Sequence, residues 1–301
     1  MISNKFAQSG FTLVEMIIVM VITGIIGGMV AIFLKSPIQQ YMDSARRAEL
    51  TDIADTAFQR VLRDVRTAVP NSIRLPTPSG STYIEYLPTK TGGRYRATDI
   101  GGTLCGTATG ANAGDALSFV GTDTCFTVIG PAVNVQVGDY VVVGSTQSSG
   151  GPPYDQNATG VLRKVTNVTT TGGIQAITIT GVALPAYAQL SGQRFQVVDG
   201  QTVGTVTNAA VTYACVGTQG TLDANGNGQA QLIRYAGYGI NPTQALPTAT
   251  AAVLANNVSY CSFVYDVGAY QRDSLVALSL QITESGETVS LYEEVHVNNA
   301  P

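Results

Sequence analysis

One acidic residue, Glu15, lies inside an otherwise uncharged apolar run that covers residues 11–34. A carboxylate within a membrane helix costs about 3 kcal/mol, so it is a functional candidate whose partner has to be identified. If the chain were cut after Gly10, the new amine of Phe11 would lie one helical turn before Glu15, on the same face. Contact within one chain would be awkward, whereas contact between neighbouring chains of an assembly would neutralise both charges. The alternative is that Glu15 lies at the membrane surface and reaches water.

A second group of side chains has the types and spacing of a calcium loop. Asp223, Asn225 and Asn227, followed by Gly228, match the first half of an EF-hand loop. The twelfth position is Arg234, where the motif needs a bidentate glutamate, and Asn-Gly is also a strong signal for a hairpin turn. We therefore favour a turn between two strands and keep the three residues as a candidate metal site only.

No arrangement of residues predicts catalysis. His296 is the only histidine and lies near the C-terminus on a predicted strand, so a triad with serine or cysteine is not credible. Glu293 and Glu294 are adjacent, and on a strand they point to opposite faces. The chain also lacks a G-x-x-x-x-G-K-[ST] nucleotide loop. We expect no catalytic residue, no cofactor and no enzymatic activity.

The four cysteines, Cys105, Cys125, Cys215 and Cys261, form no C-x-x-C pair, and one histidine cannot complete a common zinc site. Disulfides in an exported domain are therefore expected, with free buried thiols as the alternative. Four cysteines allow three connectivities. The simplest guess pairs neighbours in the sequence, which are Cys105 with Cys125 and Cys215 with Cys261.

Composition narrows the class of protein. The chain has 301 residues and a net charge of −4, which argues against a general nucleic-acid binder with its basic surface. Only 12% of the residues are charged, while there are 33 glycines. Polarity supplied by small uncharged residues is typical of an extracytoplasmic β-rich domain rather than of a cytosolic helical enzyme.

The elements that position these residues begin with a long helix, predicted over residues 11–69. Its apolar part, residues 11–34, is about 36 Å long and can cross a bilayer. It is also longer than the apolar core of a secretory signal, so we expect it to be retained. Pro37 should kink or briefly break the helix, and Pro70 should end it. Lys5 lies before the span and Lys35, Arg46 and Arg47 lie after it, so the basic residues do not decide its orientation.

The second part of the helix, residues 35–69, is amphipathic. Apolar residues recur at spacings of three and four on one face: Leu50, Ile53, Ala57, Val61, Val65 and Ala68. The opposite face is charged and includes the pair Arg60 and Asp64, which we interpret as a solvated surface. Such a helix needs a sheet to cover its apolar face.

Residues 70–301 read as one β-rich domain with an elaborated middle at about 87–205. Short β-type runs alternate with turn residues, and the last two form a hairpin with one apolar face. The predicted strands cover residues 83–86, 116–120, 125–129, 140–143, 161–165, 176–180, 194–198, 210–215, 231–235, 258–265, 274–282 and 287–297. The fold class is therefore α+β.

The segment G-F-T-L-V-E, residues 10–15, after a short leader with Lys5, resembles the prepilin signature of type IV pilins and type II secretion pseudopilins. The resemblance implies a leader of residues 1–10, cut after Gly10 by prepilin peptidase, and an N-methylated Phe11. It makes Glu15 the assembly glutamate and implies a type IV pilin-like fold. The implied partners are the prepilin peptidase/N-methyltransferase, other major and minor pilins and an inner-membrane assembly platform. The globular domain is expected in the periplasm and then at the cell surface.

More of the chain is similar to MshO-type minor pilins of mannose-sensitive haemagglutinin (MSHA) pilus systems. The similar segments are residues 63–74, 83–96, 126–131, 232–240, 258–266, 275–291 and 295–301. This resemblance implies a minor pilin that primes or caps a pilus. The alternatives are a J-type minor pseudopilin of type II secretion and a tip adhesin module. Of these, J-type pseudopilins are usually shorter.

Overall fold

The computed structural model describes residues 10–76, 81–99, 104–105, 115–146, 152–189, 192–204, 206–248, 251–266 and 273–300. The predicted leader, residues 1–10, lies outside the described residues except for Gly10. The chain divides into two compact units, residues 1–49 and 50–301. The described part of the first unit is the start of a helix, and the second unit contains the end of that helix and all the strands.

The helix, α1, is Leu13–Arg66. It contains Pro37 without interruption, so the expected brief break is wrong. Proline removes a single N–H from the helical ladder, and the hydrogen bonds on either side maintain the helix. From Leu13 to Met42 the large apolar side chains of α1 are exposed to solvent. By length and composition this helix can cross a membrane.

Helix α1 ends at Arg66, before the predicted end at residue 69. The N–H groups of Thr67 and Ala68 bond to carbonyls three residues earlier, which tightens the last turn. The N–H of Val69 then bonds to the carbonyl of Leu87 at 2.7 Å. Because the residue before Pro70 disfavours helical backbone, Val69 is free to pair with this extended segment instead.

The strands, in chain order, are β1 Tyr83–Tyr86, β2 Thr89–Tyr95, β3 Cys125–Ile129, β4 Tyr140–Val143, β5 Leu162–Thr171, β6 Ile174–Ile179, β7 Arg194–Val198, β8 Thr202–Val203, β9 Val206–Thr207, β10 Val211–Leu222, β11 Gly228–Ala236, β12 Ala251–Asp266, β13 Asp273–Glu284 and β14 Glu287–Asn298. They form an antiparallel sheet in the order β1-β10-β11-β12-β13-β14, a closed barrel in the order β2-β3-β6-β5-β4-β7, and the small β8–β9 ribbon.

Residues 50–66 of α1 pack on the six-stranded sheet. The predicted apolar face is confirmed, since Leu50, Ala57, Val61 and Val65 are each no more than 1% exposed in a core shared with sheet residues. Phe58, next to that face, is fully buried in the same core. This arrangement of a long N-terminal helix on an antiparallel sheet is α+β, as predicted, and is consistent with a pilin-like fold.

The elaborated middle of the domain is the closed barrel. Its interior is a separate apolar core in which Phe126 and Phe195 meet edge to face, 5.3 Å between ring centroids. The chain leaves the sheet after Tyr86 and returns at Val211, and these two residues are direct cross-strand partners. The barrel is therefore an insertion into a β1–β10 hairpin.

One predicted strand is wrong, and the three strands β2, β8 and β9 were not predicted. The segment 116–120 is irregular, because side chains take over its backbone N–H groups: Asp123 Oδ2 accepts from Ser118 and Ser118 Oγ accepts from Val120. Strand β2 was not predicted, since T-K-T-G-G-R-Y alternates poorly and contains two glycines. Gly93 is required there, because an added Cβ would lie 2.8 Å from the ring of Phe195.

Candidate assembly site

The candidate assembly residues lie at the start of α1 and are exposed. Phe11 is 79% exposed and precedes the helix, while Glu15 lies in its first turn. The argument for a common helical face therefore does not apply to Phe11 in this unprocessed chain. Among the described residues, an added Cβ at Gly10 would meet nothing within 4 Å.

Thr12 is a residue of this region that the sequence interpretation missed. Its Oγ1 accepts a hydrogen bond from the N–H of Glu15 at 3.3 Å, and its carbonyl accepts from Met16. Thr12 is thus the N-cap of α1, in the position that T-x-x-E predicts for a capping box. That spacing was the signal that could have identified it. The cap fixes the point at which the helix begins and places Glu15 in the first turn.

Asp64 joins the helix to the sheet, although its face of α1 was interpreted as solvated. Its Oδ2 accepts from the Tyr213 hydroxyl at 2.7 Å, Arg234 Nε at 3.0 Å and Arg60 Nε at 3.3 Å. Only 18% of its side chain is exposed. Burial, and then the bond to Asp64, raise the pKa of Tyr213 well above its ordinary value. The solvated interpretation fails here because Tyr213 and Arg234, cross-strand partners on β10 and β11, reach the helix.

A buried ion pair lies at β1, the edge strand of the six-stranded sheet. Arg74 Nε lies 2.8 Å from Glu85 Oε2, and its other nitrogens donate to the carbonyls of Asn241 and Pro242. The guanidinium also lies 3.5 Å from the ring centroid of Tyr154, a cation–π contact. Burial raises the pKa of Glu85, and the contact with Arg74 opposes that shift. The pair links the segment after α1, strand β1 and the short turn Pro152–Tyr154.

The four cysteines form two disulfides, Cys105–Cys125 and Cys215–Cys261. These are the two pairs of sequence neighbours that the simplest guess named. Their Cα atoms are 5.5 Å and 6.0 Å apart. Cys125 begins strand β3 of the barrel, whereas Cys215 and Cys261 lie in the core beneath α1. Each β structure thus has its own covalent link.

The calcium candidate is a hairpin turn between β10 and β11, as favoured. Asp223 Oδ1 accepts from the backbone N–H groups of Asn225 and Asn227, both at 2.8 Å, and Oδ2 accepts from the Asn227 amide. The Asn227 Oδ1 accepts from Ser285 N–H at 2.9 Å, which connects this turn to the β13–β14 turn. The side-chain oxygens of Asp223 and Asn227 are therefore used in hydrogen bonds of the two turns.

The remaining polar candidates lie on the edge strand β14. His296 is exposed, and Glu293 and Glu294 alternate across the strand as predicted. Glu294 accepts a hydrogen bond from the hydroxyl of Tyr292 on the same face. Over the described ranges, no cluster of three His, Cys, Asp or Glu side chains has the arrangement of a metal site.

Comparison with known proteins supports one class of protein through the N-terminal segment. The long helix on an antiparallel sheet corresponds to a type IV pilin-like architecture. Residues 5–31 match the family model of the prokaryotic N-terminal methylation motif, which supports a type IV pilin-like or pseudopilin-like protein. The motif implies processing by prepilin peptidase and assembly with other pilins. No curated protein and no solved structure matches the chain.

Proposed function

We propose that this protein is a minor pilin of an MSHA-like type IV pilus. Prepilin peptidase removes residues 1–10, Phe11 is N-methylated, and the subunit enters the fibre through α1 to prime or cap assembly. The methylation motif over residues 5–31 carries the prepilin part of this proposal, and the MSHA-like role rests on the resemblance of the later segments to MshO-type minor pilins. The exposed apolar surface of α1 up to Met42 supports it, because that surface needs lipid or neighbouring helices.

The two ends of α1 have different tasks in this proposal. Residues 11–34, which include the start of α1, hold the subunit in the inner membrane and later in the fibre, while residues 35–66 of α1 carry the β-rich domain, residues 70–301, in the periplasm. In the fibre, Glu15 of one subunit pairs with the Phe11 amine of a neighbour and removes two uncompensated charges from an apolar surrounding. Energy from ATP hydrolysis comes from a partner of the assembly platform.

The proposal is tested first by mass analysis of the N-terminus of the protein purified from its own membranes. We expect a chain that starts at a methylated Phe11. A chain that retains Met1 would contradict processing, and with it the assembly through a free Phe11 amine. With Gly10→Ser, unprocessed protein should accumulate; complete processing of that variant would remove Gly10 as the cleavage determinant.

Glu15→Val tests the pairing. We expect normal processing but loss of incorporation into fibres, measured by mass analysis and by quantifying the subunit in sheared pili. Thr23→Val is the matched control, since its hydroxyl bonds only to carbonyls of its own helix, that of Val19 at 2.6 Å and that of Met20 at 3.2 Å. Normal incorporation of Glu15→Val would end the pairing mechanism.

A second candidate, the J-type minor pseudopilin of type II secretion, shares this N-terminal chemistry. It is kept because the methylation motif is common to pilins and pseudopilins. Deletion of the gene separates the two: loss of surface pili supports the minor pilin, whereas loss of exoprotein secretion with intact pili supports the pseudopilin. A tip adhesin role would require the β-rich domain to bind a ligand, with assembly as described.

A further inference from the structure

Two arginines lie side by side on neighbouring strands of the barrel, and the described residues give neither of them an acidic partner. Arg94 on β2 and Arg194 on β7 are direct cross-strand partners, and both are exposed. Like charges in this position destabilise a sheet unless something compensates them. Among the described residues, neither arginine takes part in an ion pair. Lys90, also on β2, differs, since its Nζ lies 2.8 Å from Asp139 Oδ2.

A concavity of about 290 Å³ lies beside this pair and is lined by Gly92, Gly93, Arg94, Arg194, Phe195 and Gln196. On the face that carries the two arginines, the next cross-strand pair is Gly92 with Gln196. Only Gln196 of this pair has a side chain. A Cβ at Gly92 would lie 3.0 Å from the carbonyl of Phe195. The absence of a side chain at Gly92 thus keeps the space beside the guanidinium groups open.

Gln196 also lines this concavity. Its Oε1 is buried and has no hydrogen-bond partner within the described structure. Nearly all buried polar side-chain atoms are hydrogen-bonded, so an exception needs an explanation. An oxyanion accepts hydrogen bonds, so Gln196 would bind it through Nε2, after a flip that exchanges the two ends of the carboxamide.

We propose that Arg94, Arg194 and Gln196 form a binding site for a single oxyanion group, namely a carboxylate, sulfate or phosphate. Guanidinium groups bind such oxyanions through paired N–H donors, and a bound anion removes the repulsion between the two arginines. The net charge of −4 disfavours a long polyanion such as nucleic acid, so one anionic group of the ligand is recognised. This site lies on the barrel, and it does not depend on the assembly role proposed for α1.

The test uses the full-length protein in detergent and three probes, which are sulfate, phosphate and glucuronate. Thermal unfolding is followed against probe concentration, with chloride at equal ionic strength as the reference. Because sulfate stabilises most proteins by exclusion, the measured quantity is the difference between wild type and variants. The variants are Arg94→Gln and Arg194→Gln, with Arg63→Gln as the control, an exposed helix arginine with no ion pair in the described structure.

We expect at least one probe to raise the melting temperature of the wild type and of Arg63→Gln more than chloride does. Loss of either barrel arginine should weaken the binding of that probe about tenfold or more. In chloride alone the barrel variants should melt at the same temperature or higher, because a like-charge pair has been removed. A purely structural role of these arginines predicts instead that the barrel variants melt at a lower temperature.

The pattern among the probes identifies the anion. A response to glucuronate alone assigns a carboxylate, as in an acidic sugar or an acidic side chain, and a response to phosphate or sulfate assigns a tetrahedral oxyanion. Equal responses of the wild type and both barrel variants to all three probes would overturn the proposal. Barrel variants that melt at lower temperature in chloride would likewise overturn it.

Discussion

The helix-covered sheet and the closed barrel have six antiparallel strands each, but only the sheet has edge strands. The sheet has two edges: β1 is bonded to Arg74 through two backbone hydrogen bonds, and β14 lies at the other end. The barrel has no edge, and its strands enclose a core of their own. The sheet buries its apolar face only because residues 50–66 of α1 cover it. The comparison shows that the sheet depends on the helix for its core, whereas the barrel has a core of its own and packs on its surroundings through a second buried cluster.

The largest expected effect comes from removing one aromatic ring from each core. Phe58→Ala beneath α1 and Phe126→Ala in the barrel should each lower the free energy of unfolding by about 3–5 kcal/mol. Hydrogen exchange should show that the two substitutions destabilise different strands. Phe58→Ala should accelerate exchange in β10–β13, and Phe126→Ala should accelerate it in β3 and β6 while the sheet stays protected. Uniform acceleration by both variants would show that sheet and barrel unfold as one unit.

Arg74→Met tests the link between the two regions. It leaves Glu85 as a buried carboxylate without its cation, which should cost about 3–5 kcal/mol at pH 8. Burial already raises the pKa of Glu85, and losing Arg74 raises it further, so protonation favours the folded state and stability falls as the pH rises. The loss should therefore be smaller at pH 5 than at pH 8, measured by urea unfolding. The double variant with Glu85→Gln should recover most of the stability; equal losses at both pH values would contradict a charged Glu85.

A smaller effect is expected at the contact between helix and sheet. Asp64→Asn keeps the shape of the side chain but loses the charge that Arg60, Tyr213 and Arg234 share. We expect a loss of about 1–2 kcal/mol, since bonds to charged groups are stronger than neutral ones. Asp43→Asn is the control, because its pair with Arg46 is exposed and should contribute less than about 0.5 kcal/mol. The same loss in both variants would reduce Asp64 to an ordinary surface residue.

The parts of the fold that could be predicted are those in which apolar residues recur at a regular spacing. The spacing of Leu50, Ala57 and Val65 reports a helix face directly, and most strands of the sheet show clear alternation. Barrel closure could not be predicted, because strand β2 with its two glycines has no apolar pattern and closure depends on pairing it with β7. Asp64 was misread for a related reason: the partners that bury it come from strands more than a hundred residues away in the sequence.

The same distinction between local and long-range signals applies to the candidate sites. Gly10, Phe11 and Glu15 were named from a local motif, and the roles of these three residues stay predictions for experiment. Thr12 was within reach of the sequence, because T-x-x-E is a local capping signal. The arginine pair of the barrel was not, since Arg94 and Arg194 become neighbours only when β2 pairs with β7.

The direct pairing of Tyr86 with Val211 also has a consequence for the order in which the chain folds. Strands β1 and β10 must meet across residues 87–210, and closing so long a loop from an unfolded chain costs about 3 kcal/mol more than closing a loop of four residues. A barrel that folds first brings the ends of this loop together before the sheet forms. Because the barrel strands also precede β10–β14 in the chain, they can pair first, and the sheet then assembles on the folded barrel.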